Sequence, residues 1–359
     1  MINDFTVCLY IKSFKLTLLI QPHSFFTAFS YIYKKLAVKF FYYFLLIFVT
    51  ACQKNDNLQE SGLHTYSFDI DNVTRRYALY IPENLGNNPV PLVFELHGGG
   101  IYIEDMTGES GHKTPYKLWM PLADQEKFIV VYPEGLNGAY GKPTWNDCRG
   151  DCEVNSGADD VQFIDTLIQI ISKKYPVDPK RIYASGTSNG GFMAQRLGME
   201  LGNKIAAVAS VVASKPAVSK CAPPVKAFPI LFMLGTEDNH MPYAGGYVGN
   251  PPNPAHGSVI PAQECIDFWV KFNQADSIPE YHLFPDLDPN DGGRVEKFSF
   301  MNPSTHKDVI FYKINGGGHS APSIKERYSA LFEQYFNKQN HDIEMTTEVW
   351  NFFKNKSLP

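Results

Sequence analysis

The apolar positions of this chain form two kinds of run, and each kind predicts a different class of β-strand. HTYSFDID and RRYALYIP, within residues 64–82, alternate apolar and polar positions, as half-buried antiparallel strands do. VPLVFEL, FIVVYPEG, RIYASG, IAAVASVVA and PILFMLG are continuous apolar runs, which is typical of strands that are buried on both faces. EKFSFMN and DVIFYKIN predict a further pair of strands near the C-terminus.

Helical periodicity separates these strands. The segment DDVQFIDTLIQIISKKY has an aspartate as N-cap, lysines in its last turn and one apolar stripe, formed by Val161, Ile164, Leu167, Ile168 and Ile171. GGFMAQRLGMEL, IKERYSALFEQYF and TTEVWNFFKN predict three more helices. Antiparallel strands followed by alternating strands and helices predict an α/β fold, in which a mostly parallel sheet has helices on both faces. The polar segments 101–117, 136–157 and 239–262 are too long for ordinary connections and are expected to form a substrate rim.

Residues 1–52 are predicted to be a leader that ends in a lipoprotein-type signal peptide. Three lysines, at 34, 35 and 39, precede the apolar run FFYYFLLIFVTAC, which ends at Cys52. VTAC resembles a bacterial lipobox, in which the cysteine is lipidated, and polar residues 53–63 follow as a flexible tether. An ordinary membrane anchor is the alternative, but it needs about 20 apolar residues. We therefore expect an exported lipoprotein at a membrane, either periplasmic or on the cell surface. Residues 1–33 do not fit a signal peptide and are excluded from the fold prediction.

Composition and charge narrow the class of protein. The chain has 359 residues, 44% hydrophobic and 19% charged, which indicates a globular protein with residues 64–359 as one domain. A net charge of −5 gives no basic surface for nucleic acid. Beyond the leader, Cys148, Cys152, Cys221 and Cys265 are free to pair in an oxidising compartment. All three pairings stay open, although Cys148 and Cys152 are close enough for a local bridge, and their C-x3-C spacing lacks companion metal ligands.

The segment GTSNG, residues 186–190, has the pattern G-x-S-x-G between a predicted strand and a predicted helix. Glycines beside a sharp strand-to-helix turn let neighbouring chains pass closely, so that Ser188 would project above the N-terminus of the helix. A serine hydroxyl is a poor nucleophile without a base and an orienting carboxylate. We expect these partners to follow in the order acid and then histidine, each on a loop after a later strand.

Both partners are present in that order. Asp238 follows the buried run PILFMLG, with Glu237 as its competitor for the acid role. His319 follows the last strand on a glycine-rich turn, and His240, beside the acid, is a weaker candidate for the base. Upstream, HGGG at 97–100 ends an early strand, where glycine backbone N–H groups can face a substrate oxygen. The N–H of Asn189 is the expected second oxyanion donor.

These motifs resemble the α/β-hydrolase esterase family of polyhydroxybutyrate depolymerases and bacterial feruloyl and acetyl-xylan esterases. The resemblance runs from about residue 75 to residue 319 and is most specific in DDVQFIDTLIQIISKKYPVDPKRIYASGTSNGGFMA, with LHGGG, GTEDNHMPYAGG and GGGH in matching order. It implies an α/β-hydrolase fold, a Ser188–Asp238–His319 triad, and Gly99 and Asn189 as oxyanion donors. Leu234 and Ala321 depart from the family pattern, and these departures bear on specificity for the acyl and alcohol groups.

The expected activity is hydrolysis of carboxylic esters through an acyl-enzyme, without a cofactor or metal, at a rate that rises with pH as His319 loses its proton. Feruloyl or acetyl esters on plant polysaccharide or oligosaccharide are the expected substrates. Five aromatic residues are candidates for stacking on a phenolic or sugar ring, chiefly Trp145 and Tyr243, together with Tyr102, Trp119 and Tyr247. A hydroxyalkanoate polyester is the alternative substrate. A serine peptidase and a non-catalytic surface-binding lipoprotein are the remaining alternatives, of which the first usually carries a propeller or lid domain.

Overall fold

The structure, a computed structural model, describes residues 61–359. The predicted leader, Cys52 and most of the predicted tether therefore lie outside the described residues. The strands are β1 (Gly62–Ile70), β2 (Val73–Ile81), β3 (Val90–Leu96), β4 (Ile129–Pro133), β5 (Val177–Thr187), β6 (Ala207–Val211), β7 (Ile230–Gly235), β8 (Gly246–Tyr247), β9 (Ser258–Val259), β10 (Glu280–Leu283), β11 (Arg294–Phe300) and β12 (Val309–Asn315). The helices are α1 (Ile103–Thr107), α2 (Trp119–Glu126), α3 (Asp160–Lys174), α4 (Asn189–Glu200), α5 (Ala262–Phe272), α6 (Ala330–Phe336) and α7 (Met345–Phe353), with a 3₁₀ turn at Pro115–Leu118.

One ten-stranded sheet carries the fold, in the order β1-β2-β4-β3-β5-β6-β7-β12-β11-β10. The six strands from β4 to β12 in this order pair in parallel, and the strands at both edges pair antiparallel. The predicted α/β class, with antiparallel N-terminal strands, is confirmed. β1 begins two residues before the predicted boundary at His64, because Gly62 pairs with Ile81 at the far end of β2.

Apolar side chains fill both faces of this sheet. On one face, α3, α4 and α5 contribute residues such as Ile164, Met193 and Trp269 to a continuous core. On the other face, α1, α2 and α7 contribute Met106, Trp119 and Phe353, among others. Strands β3, β4, β6 and β7 are buried along their whole length because they are covered from both sides. Their continuous apolar runs in the sequence have this origin.

The helix that was predicted over residues 324–336 is shorter in the structure. Only Ala330–Phe336 is helical, with Ser329 as an N-cap that accepts a hydrogen bond from the N–H of Phe332. Upstream, backbone N–H groups bind side chains instead: Glu326 donates to Ser323 Oγ, and Tyr328 donates to Gln339 Oε1. Side chains that take up backbone donors compete with helix formation, and the start of this helix is lost for that reason.

Within residues 61–359, no helix combines the length and apolar character that are needed to cross a membrane.

Candidate active site

Ser188 occupies the sharp turn between β5 and α4. Its backbone has φ 55° and ψ −120°, a combination that residues other than glycine rarely adopt. Two hydrogen bonds hold this conformation: the N–H of Ser188 donates to Val211 O on β6, and Ser188 O accepts from the N–H of Phe192 in the first turn of α4. The neighbouring strand and the helix together therefore hold the strained turn in place.

The two flanking glycines are sterically required. A Cβ atom on Gly186 would lie 2.3 Å from Gly190 O, and a Cβ atom on Gly190 would lie 2.2 Å from Leu96 O. Both distances are far below van der Waals contact with backbone atoms. The glycines of the pattern thus allow β3, the turn and the helix to approach each other closely, which is the role that the sequence predicted for them.

Three predicted residues come together across loops that are far apart in sequence. His319 Nε2 lies 2.9 Å from Ser188 Oγ, and His319 Nδ1 lies 2.8 Å from Asp238 Oδ2. The other carboxylate oxygen, Asp238 Oδ1, accepts the N–H groups of His240 at 2.9 Å and Met241 at 2.7 Å. Since Asp238 accepts the Nδ1 proton of His319, Nε2 is left to accept the hydroxyl proton of Ser188. This arrangement suits nucleophilic catalysis by the serine.

The two competing residues are placed differently. The side chain of Glu237 is exposed, and its backbone binds Gly317 and Asn337. The ring of His240 stacks on the ring of His319, with centroids 5.3 Å apart. Among the described residues, its Nδ1 lies within hydrogen-bond distance of Asn239 Oδ1, and the ring forms no hydrogen bond with Ser188. Burial, with a further contribution from His319, lowers the pKa of His240 to about 4. His240 is therefore a neutral neighbour of the candidate base at neutral pH.

His97 orients the glycine turn at the end of β3. Its Nε2 accepts the N–H of Gly135 at 2.9 Å, so its proton resides on Nδ1, which donates to Gly98 O at 2.8 Å. Burial lowers the pKa of His97 to about 4, and the ring is neutral. Because C=O and N–H point in opposite directions across a trans peptide, fixing Gly98 O on His97 turns the N–H of Gly99 away from the ring.

The two predicted oxyanion donors are neighbours. A Cβ atom on Gly99 would lie 3.8 Å from Asn189 Cβ. Asn189 is the first residue of α4, and N–H groups in the first turn of a helix have no acceptor within the helix. The positive end of the α4 dipole lies at the same point, which favours negative charge beside Ser188.

Two of the five aromatic residues that were expected at the rim are buried instead, and that expectation was wrong for them. Trp145 is 0% exposed, packs against His97 with ring centroids 4.7 Å apart, and donates its Nε1–H to His97 O. Trp119 is also 0% exposed and donates to Glu95 Oε2. Both indoles find buried hydrogen-bond acceptors, which allows complete burial.

The other three aromatic residues keep exposed surface. Tyr247 is half exposed, whereas Tyr102 and Tyr243 are partly buried. Tyr243 packs against the core, and Lys142 Nζ lies 5.3 Å from the ring centroid of Tyr102. Of the five, only these three can present a ring to a substrate.

Sequence reasoning missed the polar network behind Asn189. The Asn189 side chain donates to Asp147 Oδ2 at 2.7 Å, and Arg149 holds the same carboxylate through Nε and Nη2. Asp147 and Arg149 are both buried, and their ion pair leaves neither charge uncompensated. In the sequence, the only indication of this network is the pair of opposite charges, Asp147 and Arg149, on either side of Cys148.

The cysteines pair over a long separation. Cys148 is bonded to Cys221, 73 residues later, while Cys152 and Cys265 are free thiols. The local bridge between Cys148 and Cys152 that the sequence allowed is therefore not the one formed. Glu200 lies beside the paired cysteines, but their sulfurs are joined to each other and are not thiolate ligands.

The chain is similar in sequence and in fold to known esterases. Residues 75–221 match the model of the family described as esterase PHB depolymerase. The chain is 34% identical over 242 residues to feruloyl esterase B of Piromyces equi, covering 66% of this chain and 40% of the relative. It is 26% identical over 282 residues to feruloyl esterase D of Neurospora crassa, covering 77% and 83% respectively. A solved thermostable esterase superposes with a TM-score of 0.50 at 15% identity, covering 82% of this chain and 63% of its own.

Over residues 75–221 the chain resembles the esterase PHB depolymerase family, and its described residues have the fold of α/β-hydrolase esterases. The expected resemblance to polyhydroxybutyrate depolymerases and feruloyl esterases is thereby confirmed. The likeness to the solved esterase supports the fold, and the named relatives support hydrolysis of carboxylic esters as the class of reaction. The aligned region spans less than half of the Piromyces relative, so the substrate of that protein does not transfer directly to this esterase.

Proposed function

We propose that this esterase hydrolyses its substrate through an acyl-enzyme on Ser188. The observation that carries the proposal is the continuous chain of hydrogen bonds from Ser188 Oγ through His319 to Asp238. In the first step His319 Nε2 takes the hydroxyl proton as Ser188 Oγ attacks the ester carbonyl carbon. Asp238 holds the imidazole in the required tautomer and stabilises its positive charge.

Negative charge on the carbonyl oxygen is accepted by backbone donors. The N–H groups of Gly99 and Asn189 bind this oxygen in the tetrahedral intermediate. The intermediate collapses when His319 gives its proton to the leaving alcohol. A water molecule then repeats the sequence: His319 deprotonates the water, the water attacks the acyl carbon, and Ser188 leaves with the proton.

A comparison of Ser188→Ala with the wild-type enzyme tests the mechanism. The expected result is loss of p-nitrophenyl acetate turnover by a factor of about 10⁴ or more, with an unchanged melting temperature. A sulfonyl fluoride should modify the wild-type enzyme on the peptide that contains residue 188, as measured by mass spectrometry, and should leave the variant unmodified. Ser110→Ala, at an exposed serine, is the matched control. Unchanged ester turnover in Ser188→Ala would eliminate the mechanism.

Feruloyl or acetyl esters on plant polysaccharide are the proposed substrates. The naming of two relatives as feruloyl esterases supports this choice, as does the exposed surface of Tyr102, Tyr243 and Tyr247, which can stack on a ring. A hydroxyalkanoate polyester is the second candidate, supported by the description of the matching family.

A substrate panel distinguishes these candidates. It contains methyl ferulate, acetylated xylan, a hydroxybutyrate oligomer and a peptide amide, each assayed with wild-type enzyme and with Ser188→Ala. The proposal expects the highest kcat/KM on methyl ferulate or acetylated xylan. Preference for the hydroxybutyrate oligomer would favour the depolymerase, and turnover of the amide alone would favour a peptidase.

Export and lipid anchoring at Cys52 are proposed together. The VTAC sequence supports lipidation, and the Cys148–Cys221 disulfide supports an oxidising compartment. We expect the wild-type chain to incorporate radiolabelled palmitate and Cys52→Ser to lose the label, with Cys8→Ser as control. Equal labelling of Cys52→Ser and wild type would exclude the anchor at this residue.

A further inference from the structure

A loop outside the triad contacts the glycine turn of the predicted oxyanion hole at two points. Pro143 O accepts the N–H of Gly100 at 2.8 Å. Trp145 Nε1 donates to His97 O at 2.9 Å, from a fully buried position. Residues 143–149 thereby fix the backbone on both sides of the Gly99 donor.

The same loop holds the second donor residue through its side chain. Asn189 Oδ1 accepts the N–H of Trp145 at 2.6 Å, and Asn189 Nδ2 donates to Trp145 O at 3.1 Å and to Asp147 Oδ2 at 2.7 Å. The oxygen and both amide protons of the Asn189 side chain are therefore engaged, and the residue is buried. Trp145 contacts the elements that carry both donors.

The loop is itself anchored at its far end. Arg149 pairs with Asp147 in a buried ion pair and donates through Nη1 to His256 O at 2.6 Å. The disulfide between Cys148 and Cys221 joins the loop to a segment 73 residues later. A loop closed by a covalent bond and a buried ion pair has few alternative conformations.

We infer that the 143–149 loop positions the oxyanion hole, with Trp145 and the side chain of Asn189 as the positioning residues. The Cys148–Cys221 disulfide holds the loop in place. This inference rests on the proposed serine mechanism. Oxyanion donors act only when they lie about 2.7–3.1 Å from the developing charge, and displacement by about 1 Å costs roughly 10²-fold in rate. Two donors on separate chain segments therefore need a common support, and this loop supplies it.

The test uses variants that disturb the support and leave both donor N–H groups present. Trp145→Phe removes the bond to His97 O, and Asn189→Ala removes three side-chain bonds. We expect kcat to fall by about 10- to 100-fold in each variant, while KM changes by less than about threefold. Cys148→Ala/Cys221→Ala should shift kcat in the same direction. Trp269→Phe, at a buried core tryptophan, and Cys152→Ala, at a free thiol, are the matched controls, and both should keep wild-type kcat.

A thionoester makes the readout specific to the oxyanion hole. The best ester of the substrate panel is compared with its thiono analogue, in which sulfur replaces the carbonyl oxygen and binds backbone donors poorly. The wild-type enzyme should prefer the ester strongly. In Trp145→Phe and Asn189→Ala this preference should fall by about 10-fold or more, because the ester loses a contact that the thionoester never had. A purely structural loss would lower both rates equally.

The outcomes separate this inference from the proposed mechanism. If Ser188→Ala is inactive and the ester preference of both Trp145→Phe and Asn189→Ala equals that of wild type, the inference is wrong and the mechanism stands. If Ser188→Ala retains activity, the mechanism itself is wrong. Melting temperatures identify a variant that does not fold, and Asn189→Ala, which removes only a small side chain, keeps the test decisive if Trp145→Phe is unstable.

Discussion

His240 lies face to face with His319: the two imidazole planes are inclined by only 22°, with centroids 5.3 Å apart. Phe336 packs on the same group, 4.7 Å from the ring of His240 and 6.0 Å from that of His319. The backbone N–H of His240 also donates to Asp238. His240 therefore contacts both the candidate acid and the candidate base, and its low pKa keeps it uncharged at the step of the proposed mechanism in which His319 gains a proton.

Charge at position 240 should control the activity. His240→Phe keeps an aromatic ring without charge and is expected to stay within about threefold of wild-type kcat. His240→Arg puts a permanent cation beside His319 and should lower kcat by about 10-fold at neutral pH, because it opposes formation of the imidazolium. Salt at about 1 M should recover part of that loss by screening. Equal kcat for the two variants, at low and high salt, would show that a positive charge at position 240 does not affect catalysis.

The identity of the orienting acid can be decided by paired amide substitutions. Asp238→Asn should lower kcat by about 10³- to 10⁴-fold. The amide oxygen would stay on the N–H groups of His240 and Met241, so the NH2 group would face His319 Nδ1, favour the wrong tautomer and leave the imidazolium charge unstabilised. Glu237→Gln should keep wild-type kcat, since this side chain is exposed and outside the hydrogen-bond chain. Steady-state kinetics on p-nitrophenyl acetate measures both. A large loss in Glu237→Gln alone would reverse the assignment.

The order of the elements could be predicted from the sequence because the buried strands and the sharp turn at Ser188 each have a recognisable local sequence pattern. Continuous apolar runs marked β3 to β7, and two glycines that have no room for a Cβ atom, Gly186 and Gly190, mark the turn at Ser188 within five residues of sequence. Asp238 and His319 were found by their positions directly after strands, where parallel strands bring loops to one edge of the sheet.

The support behind the site could not be read in this way, because it depends on contacts between distant segments. Trp145 looked like a rim residue, since its position in a long polar loop suggested exposure, whereas its indole N–H finds the buried carbonyl of His97. The pairing of Cys148 with Cys221 rather than Cys152 likewise depends on where residues 216–221 run in three dimensions. The residues next to Trp145 and Cys148 in the sequence do not indicate these two partners.

Alanine substitutions at two glycines should separate catalysis from folding. Gly190→Ala forces a Cβ atom to within 2.2 Å of Leu96 O and should lower the free energy of unfolding by about 2 kcal/mol or more, with loss of activity. Gly99→Ala meets nothing closer than 3.8 Å and should keep the stability of wild type. Its kcat should nevertheless fall, since the methyl group obstructs the approach of the substrate carbonyl. Urea unfolding and esterase assays check both, and a stable, active Gly190→Ala would refute the steric argument.

Two buried groups near the glycine turn make stability depend on pH in opposite senses. Burial raises the pKa of Glu95 from 4.5 to about 7, although the Trp119 hydrogen bond acts against this shift. The folded state then binds the proton more tightly, so the contribution of Glu95 to stability is present below pH 4.5 and is lost as the pH rises towards 7. His97, with its pKa lowered from 6.5 to about 4, contributes stability above pH 6.5 that is lost as the pH falls towards 4.

Replacing the titratable carboxyl group at position 95 should separate these two opposing contributions to stability. Of these two contributions, Glu95→Gln keeps only that of His97. Its free energy of unfolding should therefore rise with pH between about 4.5 and 6.5 more steeply than that of wild type. The difference in free energy of unfolding between Glu95→Gln and wild type should change by about 3 kcal/mol in favour of the variant from pH 4.5 to pH 7. This is the free energy that corresponds to the change in the pKa of Glu95 on folding. Urea unfolding at pH 4.5, 5.5, 6.5 and 7.5 measures this difference, with Glu237→Gln as the exposed control. Parallel pH profiles for Glu95→Gln and wild type would show that folding does not raise the pKa of Glu95.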